Sequence, residues 1–204
     1  PNARCVEKVF AVEKDAQLFN LLQTELLVHN ISNVVLLRDD FLRCDLRAMA
    51  DERNPQLIVM GNLPYRISTQ VLLRLIAFRD VVERSVLMFQ KELAERLKAR
   101  PGNKEYGRLT VMLRYCAEIT SIAVVDAGLF FPIPAVDSEV LEIKFMRRPE
   151  NAAVDEELLF KVVKASFGQR RKTLKNALSS GELKMSADLI LSALRRVGID
   201  PRRR

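Results

Sequence analysis

The 204-residue chain contains no tryptophan, one histidine, three cysteines and seven glycines. Cys5, Cys44 and Cys116 are scattered along the sequence without paired spacing, which argues against a zinc site or a disulfide framework and fits a reducing compartment. No apolar run reaches the length of a membrane span, and the first residues lack the pattern of a signal peptide. We therefore expect a cytoplasmic protein with no metal site and no membrane contact.

Positive charge is concentrated near the C-terminal end of the chain. The net charge is +7, and residues 160–204 contain twelve Lys or Arg against three Asp or Glu, an excess of +9 that leaves −2 for residues 1–159. A basic segment on a nearly neutral body indicates a polyanionic partner, above all nucleic acid. A solvated basic helix face is the ordinary alternative, and so large a local excess makes it the weaker interpretation.

Apolar runs alternate with helical patterns in the first part of the chain. Residues 9–12, 34–37 and 57–60 have the apolar character of buried parallel strands. Leucines at helical spacing over residues 15–29 predict an amphipathic helix between the first two runs. This alternation predicts an α/β fold with a parallel sheet.

The sequence Gly-Asn-Leu-Pro-Tyr at 61–65 directly follows the third predicted strand. Open α/β sheets bind ligands at the carboxyl ends of their strands. Pro64 fixes its own φ and forces Leu63 into an extended conformation, so that nearby backbone carbonyls can point into a cleft. Asn62 adds a side-chain acceptor and Tyr65 a flat aromatic face. This combination suits a planar base with an exocyclic amine, although a plain strand-to-helix turn remains the alternative.

Acidic residues follow the first two predicted strands. Glu13 ends the first one, where a carboxylate can accept from both hydroxyls of a ribose. Position alone favours a simpler role for Glu13, stabilisation of the following helix N-terminus. Asp39 and Asp40 follow the second strand, where a carboxylate can accept from an adenine amine. We expect Glu13, Asp40 and Asn62 to line one cleft.

A second informative stretch is Phe-Phe-Pro-Ile-Pro-Ala-Val-Asp-Ser at 130–138. Its two alternating prolines predict an extended loop that can hold Phe130 beside the cleft as a second stacking surface. A core aromatic is the alternative for Phe130, and one of Phe130 and Phe131 is expected to face inward. Residues 139–145 then alternate between polar and apolar side chains, which predicts an edge strand.

These stretches together resemble one protein family. Asn-Leu-Pro-Tyr at 62–65, Gln-Lys-Glu at 90–92, Tyr-Gly-Arg-Leu at 106–109, the 130–138 loop and the basic stretch at 167–176 are similar, in order, to motifs of the small-subunit ribosomal RNA adenine dimethyltransferases. The resemblance covers nearly the whole chain. Two positions depart from the family pattern: Ala135 stands where a lysine is usual, and Phe41 stands where an alanine is usual.

The resemblance implies methyl transfer from S-adenosylmethionine to N6 of two adjacent adenines near the 3′ end of small-subunit ribosomal RNA, with a role in ribosome biogenesis. It implies a Rossmann-like sheet ending in an antiparallel strand over residues 1–148, and a small all-α, RNA-binding domain over residues 149–204. The implied catalytic residues are Asn62, Leu63, Pro64, Tyr65 and Phe130. The implied cofactor-binding residues are Glu13, Asp40 and Asn62, and the implied RNA-binding residues are Arg170, Arg171, Lys172 and Lys175.

The resemblance also implies a Gly-rich loop that lets the backbone approach the methionine part of the cofactor. Residues 1–60 contain no glycine. We therefore interpret the chain as N-terminally truncated, without its first βα unit, and expect poor cofactor binding. The expected partners are small-subunit ribosomal RNA and the precursor subunit, bound by a monomer. Two other functions remain open: a non-catalytic assembly or transcription factor, and a large-subunit ribosomal RNA adenine methyltransferase.

Overall fold

The computed structural model describes residues 5–50, 56–169, 171–180, 183 and 185–203. Six strands and eight α-helices are formed in this part of the chain. The strands are β1 (Val9–Glu13), β2 (Val34–Arg38), β3 (Leu57–Asn62), β4 (Val82–Gln90), β5 (Ala117–Val125) and β6 (Ser138–Phe145). The helices are α1 (Ala16–Val28), α2 (Leu46–Met49), α3 (Ser68–Ala77), α4 (Lys91–Lys98), α5 (Arg108–Cys116), α6 (Glu156–Gly168), α7 (Leu174–Ser179) and α8 (Ala187–Arg196).

The strands form two separate hydrogen-bonded sheets. Strands β1 and β2 pair in parallel, from Val9 opposite Val34 to Glu13 opposite Arg38. The second sheet has the order β3, β4, β6, β5. Strand β4 is parallel to β3, whereas β6 is antiparallel to both β4 and β5. Within the described residues, no strand pairs with the free edges of β1 and β3.

Strand β6 is an interior strand, so the prediction of an edge strand over residues 139–145 was wrong. It lies between β4 and β5, and its apolar residues Leu141 and Ile143 are fully buried. Its acidic residues are accommodated because neighbouring elements supply cations. Glu142 pairs with Arg84 of β4 at 3.1 Å, and Glu139 pairs with Lys98 of α4. The alternating polar residues therefore mark charge pairs between elements rather than a solvent-facing strand.

The main hydrophobic core lies between the four-stranded sheet and helices α3, α4 and α5. Helix α3 buries one face because its apolar residues recur at helical spacing. The core residues with no exposed surface are Val71, Leu72, Leu75, Leu87, Phe89, Ala94, Leu97, Leu113, Cys116, Leu141 and Ile143. This core holds the ends of β3 and β6 in place, and both ends contribute to the site described below.

The β1–α1–β2 segment is much less buried than the rest of the sheet region. Asp15 caps the start of helix α1, because its side chain accepts from the backbone N–H groups of Gln17 and Leu18, but the helix contains no buried residue. The leucines that predicted its apolar face are mostly exposed, and Ile58 and Met60 on β3 are exposed as well. Among the described residues, no element covers these apolar side chains.

The last three helices form a second, smaller cluster around Leu178, Ile190 and Leu194. Helix α6 contacts both clusters, because Val163 belongs to the main core while Val162 packs against the small one. An ion pair at 2.6 Å between Arg79 and Glu156 also ties the start of α6 to the end of α3. The division into residues 1–148 and 149–204 stays a prediction.

Candidate active site

The Asn-Leu-Pro-Tyr motif lies where β3 ends and the chain turns into α3. Asn62 is the last residue of β3 and lies opposite Met88 of β4. Pro64 has φ −56° and ψ 127°, and its carbonyl accepts from Ile67 N at 3.0 Å to close a 3₁₀ turn. Within the described part of the chain, neither the exposed Asn62 amide nor the Leu63 carbonyl takes a hydrogen bond. These two groups are the open acceptors at the strand end.

Tyr65 is held by a hydrogen bond across the site. Its hydroxyl lies 3.0 Å from the hydroxyl oxygen of Ser138, which is the first residue of β6 and is fully buried. The two motifs at 62–65 and 130–138 are therefore joined directly. Because the hydroxyl is anchored at a buried point, the tyrosine ring has a defined orientation along one wall of the site.

Asp137 fixes the loop that carries Phe130. Its carboxylate accepts from Ala127 N at 3.2 Å, and its backbone carbonyl accepts from Lys91 N at 3.0 Å. Its carboxylate also lies 3.8 Å from the ammonium group of Lys91. These contacts connect the start and the end of the loop to the first residue of α4. The loop is therefore attached to the four-stranded sheet and not only to its own residues.

Residues of the two motifs line a cavity of about 370 Å³ that is open to solvent. It is lined by Asn62, Leu63, Pro64, Tyr65, Phe130, Phe131, Pro132 and Pro134. All five residues predicted to be catalytic are thus brought to one cavity. Residues with open acceptors and residues with aromatic rings thus line the same cavity, a combination that suits a planar base with an exocyclic amine.

Three residues of this site were not singled out from the sequence. Asp137 and Ser138 belong to a motif that was recognised, but only the fold shows that they bind the loop and Tyr65. Phe131 also lines the cavity, although its side chain is completely exposed. The half-buried Phe130 is the more inward of the two phenylalanines, as expected for one of the pair.

The two acidic residues assigned to the cofactor lie at adjacent strand ends. Glu13 accepts from Asp15 N at 2.7 Å, which is the helix-start role that its position favours. Asp40 binds Lys14 at 2.8 Å and accepts from Leu42 N at 3.0 Å. The hydrogen bond from Lys14, followed by that from Leu42, lowers the pKa of the Asp40 carboxyl, so that it is ionised at neutral pH.

Asn62 lies at the carboxyl end of its strand, like the two acids, but β3 belongs to the other sheet. Glu13 and Asp40 are brought close through Lys14, which follows one in sequence and binds the other. A single cleft that includes all three residues stays a prediction.

The predicted RNA-binding residues lie at the junction of α6 and α7. Arg170 lies outside the described residues. Arg171 and Lys172 are exposed and line a surface depression of about 490 Å³ together with Gly168 and Gln169. Lys175 is half-buried on α7, where its backbone N–H donates to Pro201 O. The C-terminal segment therefore packs beside this basic junction, which the sequence alone did not show.

Glu139 is the buried charged group of this region. Only 4% of its surface is exposed, and it accepts hydrogen bonds from Lys98 and Ser121. Burial raises the pKa of the Glu139 carboxyl, but these two hydrogen bonds outweigh the effect and leave the pKa below its ordinary value of 4.5. Glu139 is therefore a charged anchor directly after Ser138.

Sequence comparison now decides the family of this chain. Residues 2–198 match the pattern of the family described as ribosomal RNA adenine dimethylase. The chain belongs to the ribosomal RNA adenine dimethylase family. It is 46% identical over 204 residues to the ribosomal RNA small subunit methyltransferase A of Desulforapulum autotrophicum, covering 100% of this chain and 71% of that protein. It is 42% identical over 198 residues to the protein of the same name from Geobacter sulfurreducens, covering 97% and 71%.

Two solved structures have a fold similar to that of the dimethylase chain. A dimethyladenosine transferase from Plasmodium falciparum has a TM-score of 0.79 at 21% identity, over 99% of this chain and 79% of that one. The 23S rRNA methyltransferase ErmE has a TM-score of 0.65 at 23% identity, over 98% and 76%. The predicted family and the Rossmann-like methyltransferase fold are thus confirmed. No helix in the described ranges is long and apolar enough to cross a membrane.

Proposed function

We propose that this chain carries the S-adenosylmethionine-dependent dimethylation of N6 on two adjacent adenosines near the 3′ end of small-subunit ribosomal RNA. The proposal rests on one observation above all. This chain belongs to the dimethylase family, and its Asn62 and Leu63, which have open acceptors, line the same cavity as the rings of Tyr65 and Phe130. The small-subunit names of its relatives support the choice of RNA.

The acceptors address the chemical difficulty of the reaction. The lone pair of an adenine N6 is delocalised into the ring, so the amine is a poor nucleophile until it becomes pyramidal. The side-chain oxygen of Asn62 and the carbonyl of Leu63 can accept the two N6–H groups and orient the lone pair. The Pro64 carbonyl is a weaker candidate, because it already accepts from Ile67 N. Orientation of the amine then contributes most of the rate.

The aromatic side chains that line the cavity can bind the target base. An adenine must leave its stack before it reaches the cavity, and stacking on an aromatic side chain offsets about 1–3 kcal/mol of that cost per base. The hydrogen bond between the Tyr65 and Ser138 hydroxyls keeps the Tyr65 ring in one orientation for this stacking. The cavity is open towards solvent, which leaves room for an amine that already carries one methyl group.

The residues described fit the nucleoside half of the cofactor. Asp40 is ionised and can accept from an adenine amine when the exposed Lys14 side chain moves aside, and Glu13 can accept from ribose hydroxyls. Residues 1–60 contain no glycine, so none of them provides the close backbone approach that a methionine moiety favours. S-adenosylmethionine supplies an electrophilic methyl group when bound. No general base is needed, because the alkylated amine loses its proton readily to water.

The basic junction would bind the RNA backbone of the precursor subunit. Arg171 and Lys172 are exposed, and the backbone carbonyl of Arg203 accepts from Leu174 N close by in the sequence, which suits sequence-independent phosphate contacts. We infer that a cytoplasmic monomer uses this surface for affinity and the Asn62 cavity for chemistry.

The test is methylation of small subunits that lack the modification, using the complete gene product and mass spectrometry of the nucleosides. Asn62→Ala should lower the rate of N6 methylation by roughly 10²-fold or more, the scale of a lost oriented polar contact. Asn62→Asp keeps an acceptor and should be milder. RNA affinity should barely change, because phosphate contacts dominate it. Gln70→Ala, an exposed amide on α3, is the matched control and should have wild-type activity.

The outcome also separates this function from the alternatives. Near-normal turnover by Asn62→Ala would contradict the hydrogen-bond account of amine activation. Methylation of large-subunit RNA in preference to small-subunit RNA would identify the other class of adenine methyltransferase. Tight binding to precursor subunits without any methyl transfer by the wild-type protein would identify a non-catalytic assembly factor.

A further inference from the structure

Phe131 is a fully exposed aromatic residue at the rim of the active-site cavity. Its side chain is 100% exposed, yet it lines the cavity together with Tyr65 and Phe130. Its backbone lies between Phe130 and Pro132, in the loop that Asp137 fastens at both ends. The ring is therefore presented on a restrained loop but packs against nothing in the described part of the protein.

The chemistry of this loop limits what Phe131 can contact. Residues 127–136 contain no charged side chain, so the loop tip cannot bind phosphate through a cation. Leu129 and Ile133 beside it are also largely exposed. An uncharged aromatic at the entrance to a base-binding cavity is instead suited to the flat face of a nucleobase. Every base has such a face, so stacking on an aromatic ring does not depend on which base is present.

We propose that Phe131 stacks against the unpaired base next to the target adenosine while the target occupies the cavity. This proposal rests on the proposed function. Extruding one adenosine separates it from its neighbour, and the neighbour loses one stacking partner. The covalent backbone keeps that neighbour within a nucleotide's reach of the cavity entrance. Phe131 is the exposed ring at this entrance and replaces the lost stack.

The same contact gives a role in selecting the substrate. Two adjacent adenosines must each enter the cavity, and in each case the other one remains at the rim. A stacking platform at the rim holds whichever base is waiting and favours a purine, whose larger face stacks more strongly. Phe131 thus contributes to the preference for adjacent adenosines without touching the reacting amine.

Because Phe131 is exposed, its replacement can be tested for an effect on catalysis without an effect on folding. Because the side chain has no packing contacts to lose, Phe131→Ala should leave the free energy of unfolding and the cofactor affinity unchanged. Stacking on one base is worth about 1–3 kcal/mol, so kcat/KM for methylation of small subunits should fall by roughly 5- to 150-fold. Phe131→Tyr keeps the ring and should retain near-wild-type activity.

Two control variants separate stacking from general loss of apolar surface. Ile133→Ala changes a residue of the same loop that is 71% exposed but does not line the cavity. Val154→Ala changes another completely exposed apolar residue, far along the sequence in the segment before α6. Both variants should methylate small subunits at the wild-type rate.

A direct readout uses subunits whose RNA carries 2-aminopurine in place of the base beside the target. Its fluorescence is quenched by stacking, so it should be quenched in the wild-type complex and bright in the Phe131→Ala complex. Wild-type kinetics for Phe131→Ala, or equal losses for Phe131→Tyr and Phe131→Ala, would overturn the proposal. A defect confined to protein-containing particles and absent with deproteinised RNA would also overturn it, in favour of a protein contact. Inactivity of the wild-type protein would instead refute the proposed function.

Discussion

The hydrogen bond between Tyr65 and Ser138 joins the two motifs of the active site, and removing it should affect stability and catalysis differently. Tyr65→Phe leaves the fully buried Ser138 hydroxyl without this partner. An unsatisfied buried polar group costs about 1–3 kcal/mol, so we expect a loss of about 1–2 kcal/mol. Ser138→Ala should cost less, about 0.5–1 kcal/mol, because the Tyr65 ring is only half-buried and its hydroxyl can reach water.

The double variant decides what the bond does. Tyr65→Phe with Ser138→Ala removes both polar groups, which is close to neutral for stability, so the two changes should couple by about 1.5–3 kcal/mol. Catalysis should not recover in the same way, because the phenyl ring has lost the anchor that sets its orientation. We expect each single variant and the double variant to lower the methylation rate by roughly 5- to 10-fold, on the scale of about 1–1.4 kcal/mol of transition-state positioning.

Urea denaturation measures the first quantity, and single-turnover methylation of bound subunits measures the second. For a chain of this size, 1 kcal/mol corresponds to a change of about 2–4 °C in Tm, which is readily resolved. Tyr106→Phe is the control, since its hydroxyl makes no hydrogen bond to the described residues and its ring contacts Phe167. Additive stability losses would show that the bond is absent in solution. Recovery of turnover together with stability would show that the bond is only structural.

Two further predictions concern charged groups. Changing Arg171 and Lys172 together to Ala should weaken RNA binding and leave cofactor affinity unchanged. The slope of log affinity against log salt concentration should fall by about 1.5–2. An unchanged slope in filter-binding assays at several salt concentrations would show that these two residues do not contact phosphates. Glu139→Gln should cost about 2 kcal/mol at pH 7, because it breaks a buried pair whose partner Lys98 is 35% exposed. Because the folded-state pKa of Glu139 is lowered, this stability is fully present above the unfolded-state pKa and should be lost as pH falls through the folded-state pKa, which a series of denaturation curves at decreasing pH would check.

The active-site motif could be predicted from the sequence because its chemistry is local. An apolar run followed by Asn-Leu-Pro-Tyr predicts a strand end with fixed acceptors, and β3 does end at Asn62. The bond from Tyr65 to Ser138 could not be predicted, because 73 residues separate its partners and only the sheet order brings them together. Phe131 illustrates the same limit, since the sequence shows two adjacent phenylalanines but not which of them is exposed.

The sheet was harder to predict where charges or irregular pairing obscure the two-residue period. Strand β5 was missed, and its register shifts between Ser121 and Ala123, which breaks the alternation of side chains along the strand. In β6 the alternation was clear but misleading. Glu139 and Glu142 are matched by cations on other elements, and periodicity contains no information about such pairs. Both errors come from contacts between distant parts of the chain.

The separation of the two sheets should be visible in backbone amide exchange. Residues 5–43 contain no buried side chain, whereas the four-stranded sheet encloses the main core, so the β1–α1–β2 segment should open at a lower free energy than the whole protein. Glu13 and Asp40 lie on the readily opening segment, while Asn62 and Tyr65 lie on the protected one. A nucleoside that binds the two acids would therefore slow exchange in β1 and β2 by mass action, and would leave β4 and β6 unaffected.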